Sequence, residues 1–149
     1  MADKLQFELV SPEKLLLSEP VGMVVVPGTE GNFGVLPGHA LFISTVRPGI
    51  IDVYEDKTVT ERIFVAGGFA EVTPERCTVL ADEAMPVSSL DRATIEAQVK
   101  ALDSQVAGLK EQAQRASGAE RDDALVRLRA AERQAAVAAA KLAALSAVH

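Results

Sequence analysis

A chain of 149 residues with 48% hydrophobic content is long enough for one ordinary domain or two small ones, and too apolar for a disordered polymer. Its formal charge of -6 argues against nonspecific nucleic-acid binding, and its single cysteine, Cys77, has no partner for an internal disulfide, which fits a reducing compartment. Asp3 and Glu8 break up any N-terminal signal pattern, and no apolar run approaches the roughly 20 residues that span a bilayer, so work at a membrane is expected to go through a partner.

The first eighty or so residues carry strand patterns. Leu5-Gln6-Phe7-Glu8-Leu9 alternates apolar and polar, the period of a half-buried strand. Ser11-Pro12-Glu13 ends it. A short strand is expected at Lys14 to Leu17, closed by Ser18-Glu19-Pro20. Another is expected at Val21 to Val26, apolar enough to be buried on both faces.

Gly28 to Ala40 follows, with Gly28, Gly31, Gly34 and Gly38 and two prolines, Pro27 and Pro37, before and within it. Glycine reaches positive φ without a Cβ clash, and proline fixes φ, so the stretch reads as a tight turn set by backbone geometry. Its polar tip, Thr29-Glu30-Gly31-Asn32, is expected to face water or a partner. Leu41 to Val46 reads as a strand and Arg47-Pro48-Gly49 as a turn.

Gly49 to Tyr54 and Thr58 to Val65 flank a polar hairpin tip at Glu55-Asp56-Lys57. Val59, Glu61, Ile63 and Val65 share one face, which is expected to turn outward near Glu61. The pair Gly67-Gly68 predicts a bulge or a close backbone approach. Phe69 to Val72, a turn at Thr73-Pro74-Glu75, and Cys77 to Ala81 complete a region of many short strands, the signature of a β-sandwich or barrel.

The pattern changes at Met85-Pro86, and no proline lies beyond. Ser88-Ser89-Leu90-Asp91 fits a capping box with Ser88 as the cap. Ile95, Val99, Leu102, Val106, Leu109 and Ala113 recur at alternating spacings of four and three, which predicts one helical stripe. Ser117-Gly118 ends that helix, with Gly118 as its C′ residue. A second helix is expected from about Glu120 onward, with Leu125, Leu128, Leu142 and Leu145 among alanines. The short link makes the pair an antiparallel hairpin. Its narrow apolar stripe predicts a less stable, more mobile unit than the β region. The expected domains are residues 1–87 and 88–149.

No catalytic constellation emerges. His39 and His149 are far apart, and with one cysteine they cannot build an ordinary zinc site. No lysine follows the glycines as in a phosphate-binding loop, and no nucleophile-elbow motif is present. Neither a metal nor a cofactor is expected. Asp82 and Glu83, adjacent in sequence, read as a polar strand end, and Cys77 as a packed thiol. His39 is either structural within its loop or part of an interface.

Five ordered pieces then carry a resemblance: Glu30-Gly31 with Gly34; Pro37-Gly38-His39-Ala40; Arg47-Pro48-Gly49; Ala66-Gly67-Gly68-Phe69 with Glu71-Val72; and Thr78-Val79-Leu80-Ala81-Asp82. Over essentially its full length the chain resembles the epsilon subunit of bacterial and chloroplast F-type ATP synthases (delta in mitochondria). The resemblance implies an α+β fold: an N-terminal β-sandwich of about ten short strands, then a C-terminal two-helix hairpin.

It also implies a non-catalytic rotor subunit at the cytoplasmic face of the bacterial inner membrane. The sandwich would bind the gamma subunit and the c-ring, coupling proton flow to ATP synthesis. The helices would fold against the sandwich, or extend along gamma towards the alpha/beta head and brake hydrolysis. It assigns gamma contact to His39, to nearby Ser44, and to Ser11 on an adjacent strand. It assigns c-ring contact to Glu30, Gly31 and Asn32, with Asn32 standing where some relatives carry a carboxylate.

Some bacterial relatives bind ATP through Ile or Leu, Asp, two free positions, Arg and Ala at the start of the first helix. Leu90-Asp91 fit, but Arg92-Ala93 come two positions early, and two helical residues are a turn of roughly 200°. Weak or absent ATP binding is therefore expected. Arg129 and Arg133, one turn apart, would form a solvated basic face or meet a phosphate or an acidic segment of the head, with Asp91 spent as a cap. Two other classes stay open: a β domain that senses a small ligand such as a nucleotide, and a scaffold whose helical hairpin takes an unrelated helical partner.

Overall fold

The computed structural model describes residues 4–147; His149 lies outside them. The chain divides into two compact units that meet between Ser89 and Leu90.

The first unit is a ten-stranded curled sheet, a β-sandwich. Its strands are β1 (Leu5–Val10), β2 (Leu15–Val21), β3 (Met23–Gly28), β4 (Gly31–Val35), β5 (Phe42–Val46), β6 (Gly49–Glu55), β7 (Thr58–Val65), β8 (Gly68–Val72), β9 (Arg76–Ala81) and β10 (Ala84–Pro86). They hydrogen-bond in the order β10-β7-β6-β3-β5-β8-β9-β1-β2, with β4 paired to β3 off that path. β1 and β9 run parallel; the other ladders among the described residues are antiparallel.

The period-2 alternation predicted for β1 is what fills the core. Leu5, Phe7 and Leu9 are buried, while Gln6, Glu8 and Val10 are half-buried on the other face. Cys77 and Val79 of β9, Ala70 and Val72 of β8, Val24 and Val26 of β3, and Ile51 and Val53 of β6 join the same cluster. Burying a side chain such as Phe7 or Ile51 contributes about 1.5–3 kcal/mol. Burial also pushes the Cys77 thiol up to about 12, so it sits among its neighbours as a small apolar group.

The paired glycines behave as their sequence context predicts. Gly67 and Gly68 have φ of 118° and 143°, and a Cβ on Gly68 would lie 1.9 Å from the Leu80 carbonyl oxygen. The backbone of β8 thus crosses that of β9 closer than any side chain allows.

Several expectations are corrected. The stretch from Gly28 to Ala40 is not one turn: Gly31–Val35 is a strand, laid along β3 with Val26 opposite Phe33 and Gly28 opposite Gly31. Thr29 and Glu30 make the loop between β3 and β4, and a second turn follows β4, where the His39 N–H donates to the Leu36 carbonyl at 3.2 Å. Val35 supplies a buried apolar residue on that strand, and cross-strand pairing outweighs the glycine content. Secondly, β2 runs through Ser18-Glu19-Pro20, with Pro20 opposite Gln6. β2 lies at the end of the strand path, where proline's missing N–H costs no ladder bond. Thirdly, Val21 ends β2 instead of starting β3. Val24 and Val26 are fully buried while Met23 and Val25 are half-exposed, so β3 alternates. Finally, the helix cap is Asp91.

The second unit is two helices, α1 (Arg92–Arg115) and α2 (Gly118–Ala147). Val87–Ser89 forms a single 3-10 turn, so Ser88 cannot cap; Asp91 accepts from the Thr94 backbone N–H at 3.0 Å and from its hydroxyl at 2.6 Å. The shift of three residues follows from the side chains, since an aspartate one step before Arg92 faces the open N–H groups directly. The C-cap of α1 is Ala116, and Gly118, at φ 60°, opens α2 instead of closing α1.

The predicted stripe on α1 is the buried one, centred on Ile95, Leu109 and Ala113. On α2 the fully buried positions are alanines, Ala124, Ala131, Ala138 and Ala144, while Leu125, Leu128, Leu142 and Leu145 are half-buried beside them. Small residues at the seam let two helix backbones approach closely.

One carboxyl pair in the sandwich gives a pH prediction. Glu61 of β7 shares a hydrogen bond with Glu19 of β2. That bond first, then burial, then the Glu19 charge raise the Glu61 carboxyl from 4.5 to about 7. The folded protein keeps a proton that the unfolded chain releases above its ordinary value. The contribution of this pair to stability is therefore full below pH 4.5 and is lost as pH rises through about 7. Glu61→Gln is expected to flatten that slope and to raise the unfolding midpoint at pH 8. Urea titrations at pH 5, 6, 7 and 8 check it, and parallel slopes for both proteins would refute it.

Candidate docking surface

The tip of the β3–β4 hairpin is assembled from three separate segments. Glu30, Gly31 and Asn32, expected at a contact loop, lie together there and are exposed. Gly31 has φ 134°, and a Cβ added to it would meet nothing within 4 Å, so the need for glycine there is conformational. Thr29 is tied to Thr45 of β5 twice, by its backbone N–H to the Thr45 carbonyl at 3.1 Å and by their hydroxyls at 2.8 Å. Arg47 closes the set. Its backbone N–H donates to the Pro27 carbonyl at 2.8 Å, its Nη1 to the Gly28 carbonyl, and its Nη2 to Asn32 Oδ1 at 2.6 Å. Sequence reasoning read Arg47 as part of a turn and of a piece that carries the family resemblance, with no contact of its own. A long-range side-chain bond leaves no periodicity to detect; the one available signal is an arginine placed directly before Pro-Gly.

From Thr45 an exposed apolar row crosses the sheet. Thr45 pairs with Phe69, Phe69 with Leu80, Leu80 with Val10, and Val10 with Leu15, taking in β5, β8, β9, β1 and β2. Phe69, Leu80 and Leu15 are 57%, 45% and 56% exposed, and Ile43, one row along on β5, is 67% exposed. Single exposed apolar residues are ordinary, but a contiguous row on one face makes it the candidate docking surface.

The three residues expected at a gamma contact do not gather at one point. Ser11 lies in the β1–β2 turn, bonded to Lys14, not on a strand adjacent to β5; β8 and β9 stand between. The Ser-Pro-Glu turn bends the chain as soon as Val10 ends. Ser11 follows the apolar row at the end of the sheet nearer the tip. Ser44 is half-buried on the opposite face of β5, across from Ala70, with its hydroxyl donating to the Thr45 carbonyl at 3.0 Å.

His39 lies beyond the other end of β5. Its Nδ1 is 2.8 Å from the Ala40 carbonyl oxygen, and its ring is 6.4 Å from Phe42, which stacks edge-on to Phe33 at 5.3 Å. Its loop is anchored by the Gly38 N–H to the Pro74 carbonyl at 2.6 Å. In the hairpin, Asp91 is occupied as the α1 cap, where its bonds to Thr94 hold its carboxyl below the ordinary range. Arg129 and Arg133 are exposed on α2. Asp82 and Glu83 lie between β9 and β10, and no group of three or more potential metal ligands occurs among the described residues.

The fold and its surfaces define a β-sandwich with a shaped hairpin tip, an exposed apolar sheet face and a trailing helical hairpin. Residues 4–87 match the family model for the β-sandwich domain of the ATP synthase delta/epsilon chain. Similar chains include the ATP synthase epsilon chains of Rhodospirillum centenum and Parvibaculum lavamentivorans. The first is 67% identical over 113 residues, covering 74% of this chain and 75% of the relative. The second is 49% identical over 129 residues, covering 87% and 98%. The chain therefore belongs to the ATP synthase delta/epsilon chain family. A chain in the Euglena gracilis mitochondrial ATP synthase structure (OSCP, F1 and c-ring) is similar in fold, with a TM-score of 0.70 at 24% identity, covering 97% of this chain and 82% of that one.

The two glycines of the β4 region separate cleanly. Gly31→Val forces a β-branched residue to φ 134°, at a cost of roughly 1–3 kcal/mol. Gly34 has ordinary φ and open space apart from the Met23 sulfur at 3.7 Å, so Gly34→Val is expected to cost under about 1 kcal/mol. Thermal unfolding of both variants checks the contrast; equal losses would overturn it.

Proposed function

We propose that this chain is the central-stalk, rotor epsilon subunit of an F-type ATP synthase, coupling proton translocation through the c-ring to ATP synthesis in the catalytic head. In this reading it carries no catalysis of its own. The sandwich, residues 1–87, binds the gamma subunit and the c-ring. The hairpin, residues 88–149, is a separate regulatory domain that extends towards the alpha/beta head and restrains hydrolysis. The subunit works at the cytoplasmic face of the bacterial inner membrane, held there by the complex; no described helix is long and apolar enough to cross a membrane.

The observation that carries this reading is the exposed row Phe69, Leu80, Val10 and Leu15. A folded domain gains nothing by leaving three large apolar side chains in water unless a partner covers them. Gamma is the partner proposed for that face, with Ser11 at its margin, and His39 and Ser44 in a supporting role along β5. The c-ring is proposed for the tip at Glu30, Gly31 and Asn32, which is contiguous with the row through Thr45.

Phe69→Ser and Leu80→Ser are each expected to leave the circular dichroism spectrum unchanged and to weaken gamma binding by roughly tenfold or more. Surface plasmon resonance with purified gamma reads this out, and undiminished binding by both variants would show that the row is not the docking face.

ATP is expected to bind weakly or not at all. Asp91 is committed to Thr94 by two hydrogen bonds, and Arg92 precedes the position that the family's nucleotide motif requires. Contact of Arg129 and Arg133 with an acidic segment of the head is the use proposed for that basic pair, so any inhibition is electrostatic and falls with added salt. Calorimetric titration with ATP and magnesium should give no measurable heat. A micromolar affinity lost in Arg129→Ala would contradict this account.

A further inference from the structure

We propose that Arg47 is a positioning residue for the hairpin tip: by bridging Gly28 and Asn32 it holds Thr29 to Asn32 in the one form that the partner's surface meets. The inference rests on the reading of the tip as the c-ring contact and names the residue that would make that contact possible.

Beyond its own ladder and the bonds of Thr29 to Thr45, the tip has little to hold it. Its loop is two residues, its last corner is a glycine at φ 134°, and Glu30, Gly31 and Asn32 are exposed. Arg47 supplies restraint from outside the hairpin. Its Nη1 reaches the carbonyl of Gly28 on β3, and its Nη2 reaches Oδ1 of Asn32 on β4, at 2.6 Å. A guanidinium is planar, with its donors in a fixed fork, so one group bonded to both strands sets the separation and twist between them. A lysine ammonium is a single point and cannot do this.

Arg47 is itself anchored. Its backbone N–H is bonded to Pro27, Pro48 fixes the chain after it, and Gly49 packs on the Pro27 ring so closely that a Cβ there would lie 3.0 Å away. The fork is therefore mounted on the rigid strand junction, and the tip is referenced to it. The hydroxyl pair of Thr29 and Thr45 sits on the opposite shoulder of the loop. Asn32 is a neutral acceptor, so the arginine's charge is not cancelled within the clamp, and Glu30 is left free of it.

The test uses the full chain and detergent-purified c-ring. Arg47→Ala is expected to speed amide exchange at residues 29–32 by about tenfold, with the exchange of core strands unchanged, and to weaken retention on the ring by a similar factor. Arg47→Lys, which keeps the charge without the fork, is expected to match Arg47→Ala. Asn32→Asp keeps an acceptor and retains tip protection, whereas Asn32→Leu loses it and adds nothing further in the double variant with Arg47→Ala. Unchanged tip exchange in both Arg47→Ala and Asn32→Leu overturns the proposal, and so does wild-type behaviour of Arg47→Lys. Glu30→Lys alters the exposed surface without touching the clamp. Weaker ring retention in Glu30→Lys with normal retention in Arg47→Ala removes the positioning role. Normal retention in both, with the tip amides freed in Arg47→Ala, instead removes the ring contact itself and reduces Arg47 to a local brace.

Discussion

The sandwich depends on one close approach of two backbones. At Gly68 the chain passes so near the Leu80 carbonyl that even a methyl group would overlap it, at 1.9 Å. That crossing brings β8 into register with β5 on one side and β9 on the other, Val46 opposite Gly68 and Gly68 opposite Ala81. Two consequences follow from the same register. Ala70 and Val72 turn into the core against Val79 and Cys77, and Phe69 is sent outward onto the row it forms with Leu80. A one-residue slip would exchange the two sets, placing Phe69 in the core and Ala70 in water, so the inner and outer faces are fixed together.

Much of this was legible because strands and helices leave periods. The alternation in Leu5 to Leu9, the Gly67-Gly68 pair and the four-three spacing from Ile95 to Ala113 each predicted what was found. Local chemistry was misread where two local rules competed. Ser88 and Asp91 both satisfy capping preferences, and only the 3-10 turn at Val87–Ser89 decides between them. The glycines from Gly28 to Gly38 hid a strand, because ladder pairing with β3 is a tertiary fact that composition does not carry.

The docking features were the least legible. The residues of the apolar row, Leu15, Phe69 and Leu80, are typical core residues by type, and their exposure depends on which face the register turns outward. The bond from Arg47 to Asn32 joins residues on either side of an intervening strand, with no spacing rule to announce it. The family resemblance supplied the location of the tip but not the device that shapes it. The side-chain geometry supplied the device but no partner.

The alanines of α2 carry a different implication. Ala124, Ala131 and Ala138 follow one another at the interval of a heptad. Sliding α2 along α1 by seven residues would bring alanine to where alanine already was, at the same methyl size. The alanines themselves therefore discriminate poorly between alignments. The alignment is instead dictated by the two-residue link, Ala116 and Ser117, which is too short to permit a shift of about 10 Å. Lengthening that link, with no change to either helix, would leave the choice of alignment to the half-buried leucines beside the alanines.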